Sequence, residues 1–197
     1  MEIKRFIGGM LDANCYVISA KTGKCFIIDP GYNPKKIIKY VKDEGLEVEG
    51  IILTHHHYDH CDGAPRISKE LDCPIMIHRL DADMYKKGAD VILEDGDVLE
   101  LGDEKLVVFN TPGHTRGGIC IYSSKSRLCF TGDTIFNVDL GRTDLEDGSE
   151  EEMRQSILNV CDTWGNDVTI YPGHGDPANM KTVRKINKEF LEIVNGN

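Results

Sequence analysis

The chain has 197 residues, of which 40% are hydrophobic, and it carries a formal net charge of −10. This length and composition predict a single domain over residues 1–197 with a sizeable core. The acidic balance disfavours nucleic acid as a partner, and the lack of a signal-peptide segment or of a long apolar run predicts a cytoplasmic protein with no membrane contact.

The sequence predicts runs of strands interleaved with helices. Apolar runs bounded by Gly and Pro predict three strands and then a helix, at 3–7, 14–19, 24–28 and 34–44. Strand, helix, strand and helix follow at 48–53, 63–71, 75–77 and 80–87. Four strands come next, at 97–101, 105–110, 119–123 and 127–131, and then a helix, a strand and a helix at 150–161, 168–171 and 181–194. Periodicity alone indicates two sheets enclosed by helices, in an α/β or α+β domain.

The segment 54–60, Thr-His-His-His-Tyr-Asp-His, contains four of the seven histidines of the chain. Imidazole and carboxylate together suit zinc, iron or manganese. In an α-helix the side chains of His55 and His57 would point to nearly opposite sides, whereas on an extended segment they point the same way. The segment therefore predicts a metal site just after strand 48–53, with Asp59 and His60 displaced enough to serve a second ion.

Three further predicted strands are each followed by a residue of a metal-binding type. His114 follows strand 105–110, Asp133 follows strand 127–131 and His174 follows strand 168–171. Loops at one edge of a sheet are where rigid scaffolds usually carry chemistry. His56 and His78 are expected to be bystanders, because His56 alternates away from its neighbours and His78 follows a strand that lacks other ligand types.

The order His-x-His-x-Asp-His, then His114, Asp133 and His174, resembles the metallo-β-lactamase fold superfamily. The resemblance implies an α+β fold, a four-layer αββα sandwich with a binuclear metal site at one edge of the two sheets. Further segments at 14–16, 27–31, 132–136, 141–144 and 171–175 are most similar to the single-domain glyoxalase II-like hydrolases, which are related to hydroxyacylglutathione hydrolase.

The resemblance also implies roles for individual residues. The first metal site would consist of His55, His57 and His114. The second would consist of Asp59, His60 and His174, with Asp133 bridging both ions. Asp59 and Asp133 are the expected catalytic carboxylates.

Three more residues are candidates for supporting the site or contacting substrate. Asp29 would orient a ligand imidazole or form the turn before Pro30. Tyr58 would line the pocket or only cover it. Arg142 would pair with Asp144 or face a carboxylate of the substrate.

The expected activity is hydrolysis of a thioester of the hydroxyacylglutathione type by a metal-bound bridging hydroxide. Two divalent ions are expected as cofactors, zinc first, with iron and manganese as alternatives. The expected partner is a small-molecule substrate, and the protein is expected to be a monomer or small homo-oligomer. One alternative is a mono-iron persulfide dioxygenase, because the segment Gly-Arg-Thr-Asp at 141–144 resembles a segment of such enzymes. A second alternative is a non-catalytic metal-binding sensor or interaction module, although relatives of that kind commonly lose a ligand and none is missing here.

Overall fold

Two six-stranded sheets form the centre of the computed structural model, which describes residues 1–196. The first sheet contains, in spatial order, β1 (Glu2–Gly8), β2 (Ala13–Ser19), β3 (Lys24–Ile28), β4 (Glu47–Leu53), β5 (Ile75–His78) and β6 (Val91–Leu93). The second has the spatial order β12-β11-β10-β9-β8-β7. Its strands are β7 (Val98–Leu101), β8 (Glu104–Asn110), β9 (Ile119–Ser123), β10 (Leu128–Gly132), β11 (Thr169–Pro172) and β12 (Ala178–Asn179).

Helices connect the strands and cover the outer faces of both sheets. They are α1 (Pro34–Asp43), α2 (Tyr58–Cys61), α3 (Ala64–Leu71), α4 (Arg79–Ala82), α5 (Glu150–Asn159), α6 (Met180–Ile186) and α7 (Lys188–Asn195). In the first sheet β1, β2 and β3 are antiparallel, whereas β3 to β6 are parallel. Parallel neighbours need a crossover connection, which α1 supplies between β3 and β4. No helix within residues 1–196 has the length and apolar character needed to span a bilayer.

Strand β2 is buried along its whole length because both of its faces are covered. Cys15 and Val17 pack in the core shared with α1 and α3, whereas Tyr16 and Ile18 pack in the core between the two sheets. A third core lies between the second sheet and the helices α5 to α7. The layers therefore follow the order helix, sheet, sheet, helix, which confirms the predicted four-layer αββα sandwich.

Two predicted helices differ from the structure. The helix predicted at 80–87 is only the four-residue α4, since the chain turns after Ala82 and brings Tyr85 into the first core, where it is 2% exposed. The helix predicted at 181–194 is divided into α6 and α7 at Asn187, whose side chain caps α7. Strands β6 and β12 were not predicted; β6 has only one buried residue among three and so lacks a buried apolar run.

The cysteines belong to the cores. All seven are free and buried, and four of them lie within strands, where they pack as small apolar side chains: Cys15, Cys25, Cys120 and Cys129. Cys61, which follows His60, donates a hydrogen bond through Sγ to the carbonyl of His56 at 3.1 Å. Burial raises the pKa of Cys61 to about 12, which disfavours a reactive thiolate there.

Candidate metal centre

The carboxyl ends of four strands meet at one edge of the sandwich. One of them, β4, belongs to the first sheet, and the other three, β8, β10 and β11, belong to the second. The loops that follow them carry the seven predicted metal-binding residues, which the structure brings into two adjoining groups: His55, His57, Asp59, His60, His114, Asp133 and His174.

The first group consists of three imidazoles, those of His55, His57 and His114. One ligand atom of each lies within 4.8 Å of the others, and Nδ1 of His57 is 2.9 Å from Nε2 of His114. Burial, together with the neighbouring imidazoles, lowers the pKa of His55, and it lowers the pKa of His57 to about 4. Both rings are therefore neutral at physiological pH, which is the form that binds a metal ion.

The second group consists of Asp59, His60 and His174, and Asp133 lies between the two groups. Nε2 of His60 is 3.1 Å from Nε2 of His174, and Oδ2 of Asp59 is 3.3 Å from the same His174 atom. The carboxylate of Asp133 places Oδ1 3.5 Å from Nε2 of His60 and Oδ2 3.5 Å from Nε2 of His114. Asp133 thus faces both groups, as a bridging ligand would.

Backbone carbonyls outside the cavity fix the rings of two histidines. Nδ1 of His114 donates to the carbonyl of Arg142 at 2.7 Å, and Nδ1 of His174 donates to the carbonyl of Leu11 at 2.9 Å. A carbonyl can only accept, so the ring proton sits on Nδ1 in both cases. In a neutral ring the lone pair of Nε2 then faces the cavity, where a metal ligand needs it. For His174, burial lowers the pKa but hydrogen bonds with Asp133 and Asp59 raise it to about 10, so a metal ion that binds there displaces a proton from Nε2.

Asp29 and Thr54 hold two more rings in the same way. The hydroxyl of Thr54 donates to Oδ2 of Asp29 at 2.6 Å and therefore accepts from Nδ1 of His55 at 3.0 Å. Nδ1 of His60 donates to the same Asp29 oxygen at 3.1 Å. Asp29 also has a φ of 50° at the turn before Pro30, so it combines the two roles that the sequence left open.

The polar atoms of the cavity fit a metal ion. Nε2 of His55 and Oδ1 of Asp133 are buried and have no hydrogen-bond partner among residues 1–196. Such atoms are costly unless a partner satisfies them, and the nearby carboxylates also require a positive charge in a buried place. A divalent cation meets both needs, and a nitrogen and oxygen donor set suits zinc, iron or manganese.

Asp81, which the sequence analysis does not single out, is 0% exposed and lies between two of the loops that carry the candidate ligands. Its Oδ2 accepts from the backbone and Nδ1 of His56, both at 2.9 Å, and from the hydroxyl of Thr115 at 3.0 Å. Its Oδ1 accepts from the backbone of Gly117 at 2.6 Å. Asp81 lies in the predicted helix 80–87, away from the ends of the strands that precede the candidate ligands, so no sequence feature indicates this contact.

Tyr58 and Arg142, the remaining candidates, line the cavity over the two groups. The side chain of Tyr58 is exposed rather than packed over the site. Arg142 donates from Nε and Nη2 to the two carboxylate oxygens of Asp144, at 2.7 and 2.9 Å. Of the two roles open to Arg142, the structure thus shows the ion pair.

Several known proteins are similar to this chain in sequence and in fold. The cytoplasmic isozyme of hydroxyacylglutathione hydrolase from Saccharomyces cerevisiae is 36% identical over 192 residues, covering 90% of this chain and 69% of the yeast protein. The crystal structure of BLEG-1 B3 metallo-beta-lactamase is 26% identical with a TM-score of 0.89, covering 94% of this chain and 98% of that one. The crystal structure of TTHA1623 in a di-iron-bound form is 27% identical with a TM-score of 0.83, and the match covers 93% of this chain and 98% of that one. The family profile of the metallo-beta-lactamase superfamily matches residues 8–174, and the chain belongs to that superfamily.

Proposed function

We propose that the protein is a binuclear metallohydrolase that cleaves a thioester, a reaction of the hydroxyacylglutathione type. The observation that carries this proposal is the complete set of seven histidine and aspartate side chains in two adjoining groups, with four imidazoles each oriented by a hydrogen bond at Nδ1. The 36% identity to a hydroxyacylglutathione hydrolase supports the thioester as the bond cleaved.

The residues that would hold the ions follow from the two groups. His55, His57 and His114 would hold one ion, and Asp59, His60 and His174 the other, with Asp133 shared. When bound, the ions supply a water of lowered pKa and positive charge beside the substrate carbonyl. We propose zinc for both positions, with iron as the main competitor, because a related structure is described in a di-iron-bound form.

The chain itself contributes orientation and charge to the reaction. The carboxylates of Asp59 and Asp133 lie at the floor of the cavity, where they can orient the attacking water. The carbonyls of Leu11 and Arg142 keep the rings of the second and first group in place. A thiolate leaves readily, because thiol pKa values lie near 8.5, so the cleavage needs no dedicated protein acid.

A cytoplasmic location is part of the same proposal. Every cysteine within residues 1–196 is free, as is common in the reducing cytoplasm.

Metal content and thiol release in a pair of variants test the proposal. We expect about two ions per wild-type chain. His57→Ala should lose an ion and reduce kcat/KM by more than the roughly 10- to 100-fold that loss of an outer partner costs. The control is His78→Asn, which replaces a buried histidine outside both groups and keeps a side-chain acceptor for the start of α4. Unchanged turnover in His57→Ala would contradict the mechanism, and one tightly held iron would favour the persulfide dioxygenase.

A further inference from the structure

The cavity over the metal centre has walls of a different chemical character from its floor. It encloses about 690 Å³ and opens to solvent. Five of the seven predicted metal-binding residues form its floor: His57, Asp59, His114, Asp133 and His174. Much of its wall is apolar, formed by Leu11, Tyr58, Phe136, Val138 and Leu145. A substrate that reaches the floor therefore has to pass these side chains.

Several of the wall residues are unusually exposed for apolar side chains. Leu11 and Val138 are each 51% exposed and Tyr58 is 54% exposed. An exposed apolar patch that rims a polar site is typical of a ligand-binding groove. Burying these side chains against an apolar group of the substrate would be favourable, roughly in proportion to the area removed from water.

The position of Leu11 relative to the metal centre is fixed by the backbone. The carbonyl of Leu11 accepts from Nδ1 of His174, and the side chain of Asn14 on the same hairpin donates to the carbonyls of Pro172 and Gly175 at 2.9 and 2.8 Å. The hairpin between β1 and β2 is therefore tied to the loop that carries His174. This tie places an apolar wall beside the reacting centre.

The cavity offers little to an anionic substrate group. Apart from the histidines, Arg142 is the one cationic side chain among the lining residues within 1–196, and it forms a bidentate ion pair with Asp144 through Nε and Nη2. Asp139 adds an acidic side chain to the same lining. The carboxylates of a glutathione moiety would thus find the one arginine of the wall already paired with a carboxylate and would meet the negative charge of Asp139.

We infer that the substrate is a thioester with an apolar acyl chain and an uncharged thiol part, rather than a glutathione thioester. This inference rests on the proposed thioester hydrolysis and narrows its substrate class. The acyl chain would lie along the wall formed by Leu11, Val138 and Leu145, with its carbonyl over the floor. Because the wall is open to solvent, the chain would be bound by burial of area and not by a closed pocket.

A chain-length series tests the substrate class. Acetyl, butanoyl and hexanoyl thioesters of N-acetylcysteamine would be compared with S-lactoylglutathione by thiol release from the metal-loaded protein. We expect kcat/KM to rise about twofold to threefold for each added methylene, which is somewhat less than complete burial of the group would give. Over the four methylenes between acetyl and hexanoyl these steps multiply to about 16- to 80-fold. We also expect kcat/KM for the hexanoyl thioester to exceed that for S-lactoylglutathione at least about tenfold.

Two matched valine substitutions test whether the dependence of kcat/KM on chain length arises at the cavity wall. Val138 lines the cavity and is 51% exposed, whereas Val98 on the edge strand β7 is 49% exposed and does not line it. Val138→Ser should reduce kcat/KM for the hexanoyl thioester by about threefold to tenfold and spare the acetyl thioester. Val98→Ser should leave both rates unchanged.

Breaking the ion pair of Arg142 tests whether a free cation in the cavity would favour an anionic substrate. Asp144→Asn removes the carboxylate that is bonded to Arg142. The variant should gain about threefold on S-lactoylglutathione at low salt, an effect that salt should screen, with no change on the neutral thioesters.

The possible outcomes distinguish an error in the inferred substrate class from an error in the proposed reaction. If S-lactoylglutathione is preferred and chain length has no effect, the inference is wrong while thioester hydrolysis stands. Equal effects of the two valine substitutions would also overturn it. If no thioester in the series is cleaved, the proposed function itself is wrong.

Discussion

Asp81 lies outside both groups of metal-binding residues but contacts the loops that carry them. It accepts hydrogen bonds from His56, between two predicted ligands, and from Thr115, next to a third. Four bonds converge on this one buried carboxylate. Asp81 therefore positions the first group of imidazoles, although it does not face the cavity floor.

Asp81→Asn should weaken the metal centre. An amide cannot accept at both of its ends, so at least one loop contact is lost and a donor faces another donor. We expect metal affinity to fall about 10- to 100-fold, which a chelator competition titration would measure. Asp90→Asn is the control, because Asp90 also accepts a backbone bond, from Ile75, but does so away from the centre. Equal metal affinities of the two variants would show that Asp81 has no positioning role.

The candidate metal-binding residues could be predicted because each lies in the loop that follows an apolar strand. Asp133 comes straight after β10, for example, and the end of a strand fixes where its loop begins. The partners that orient the rings could not be predicted in the same way. The Leu11 carbonyl meets His174 only because β2 of the first sheet reaches the loop after β11 of the second, and a backbone carbonyl leaves no mark in the sequence.

At the scale of the elements, Asn187 links the end of the chain to the cavity. Its Oδ1 accepts from the backbone of Phe190 and caps α7, and its Nδ2 donates to the carbonyls of Phe136 and Asp139 at 3.1 and 2.8 Å. The side chain is 0% exposed. The segment that lines one wall of the cavity is thus held by the break between α6 and α7.

Asn187→Ala should lower the free energy of unfolding by about 2–4 kcal/mol, because it removes a cap and leaves two buried carbonyls without their donor. Urea unfolding would measure this change. Asn179→Ala is the matched control, since Asn179 caps α6 but is exposed, and its loss should cost about 1 kcal/mol. Equal costs for the two substitutions would contradict the link to the cavity wall.

Glu104, at the start of β8, is a second buried tie between elements. Burial raises its pKa, but hydrogen bonds from Ser123 and Ser126 outweigh burial and hold the pKa below its ordinary value of 4.5. Both hydroxyls donate at 2.5 Å. A lowered pKa in the folded state means that the carboxylate stabilises the fold above pH 4.5 and that this stability is lost as the pH falls through the folded value.

Glu104→Gln should therefore lower the free energy of unfolding by about 1–2 kcal/mol at pH 7. The difference from the wild type should shrink as the pH is taken below 4.5, the ordinary value for this group. Urea unfolding at a series of pH values would show this. Glu100→Gln, on the exposed face of β7, should change stability little at any pH. A difference for Glu104→Gln that is constant with pH would contradict the assigned pKa.

Local patterns could not predict the break at Asn187. Apolar residues recur at helical spacing on both sides of it, so periodicity continues through 181–194. The break depends on carbonyls of the loop after β10, which lies about 50 positions earlier in the chain. Strands and helices with strong patterns, such as β4 and α1, could be predicted because their own sequences specify them.

At the scale of the whole molecule, the candidate metal centre joins the two sheets. His55, His57, Asp59 and His60 come from the loop after β4 in the first sheet, and His114, Asp133 and His174 come from loops of the second. Each group contains residues from both sides. Ions held there would connect the sheets at one edge, in addition to the core between them.

Metal removal should therefore leave a folded but less stable protein. The three apolar cores do not depend on the ions, so the apoprotein should unfold cooperatively. Free zinc at about 1,000 times its dissociation constant should add about 4 kcal/mol, which corresponds to roughly 10 °C in Tm for a chain of this size. Thermal unfolding with and without zinc would measure the shift, and His78→Asn should show the same shift as the wild type. No shift in the wild type would exclude metal binding by the folded state.

The proposed thioester hydrolysis is tested most directly by measuring thiol release from a panel of thioesters by the metal-loaded protein. Oxygen consumption on glutathione persulfide would be recorded in parallel. We expect thiol release that depends on the bound metal and no oxygen consumption. Oxygen consumption on the persulfide, with no thioester cleaved across the panel, would contradict it and assign the centre to a dioxygenase.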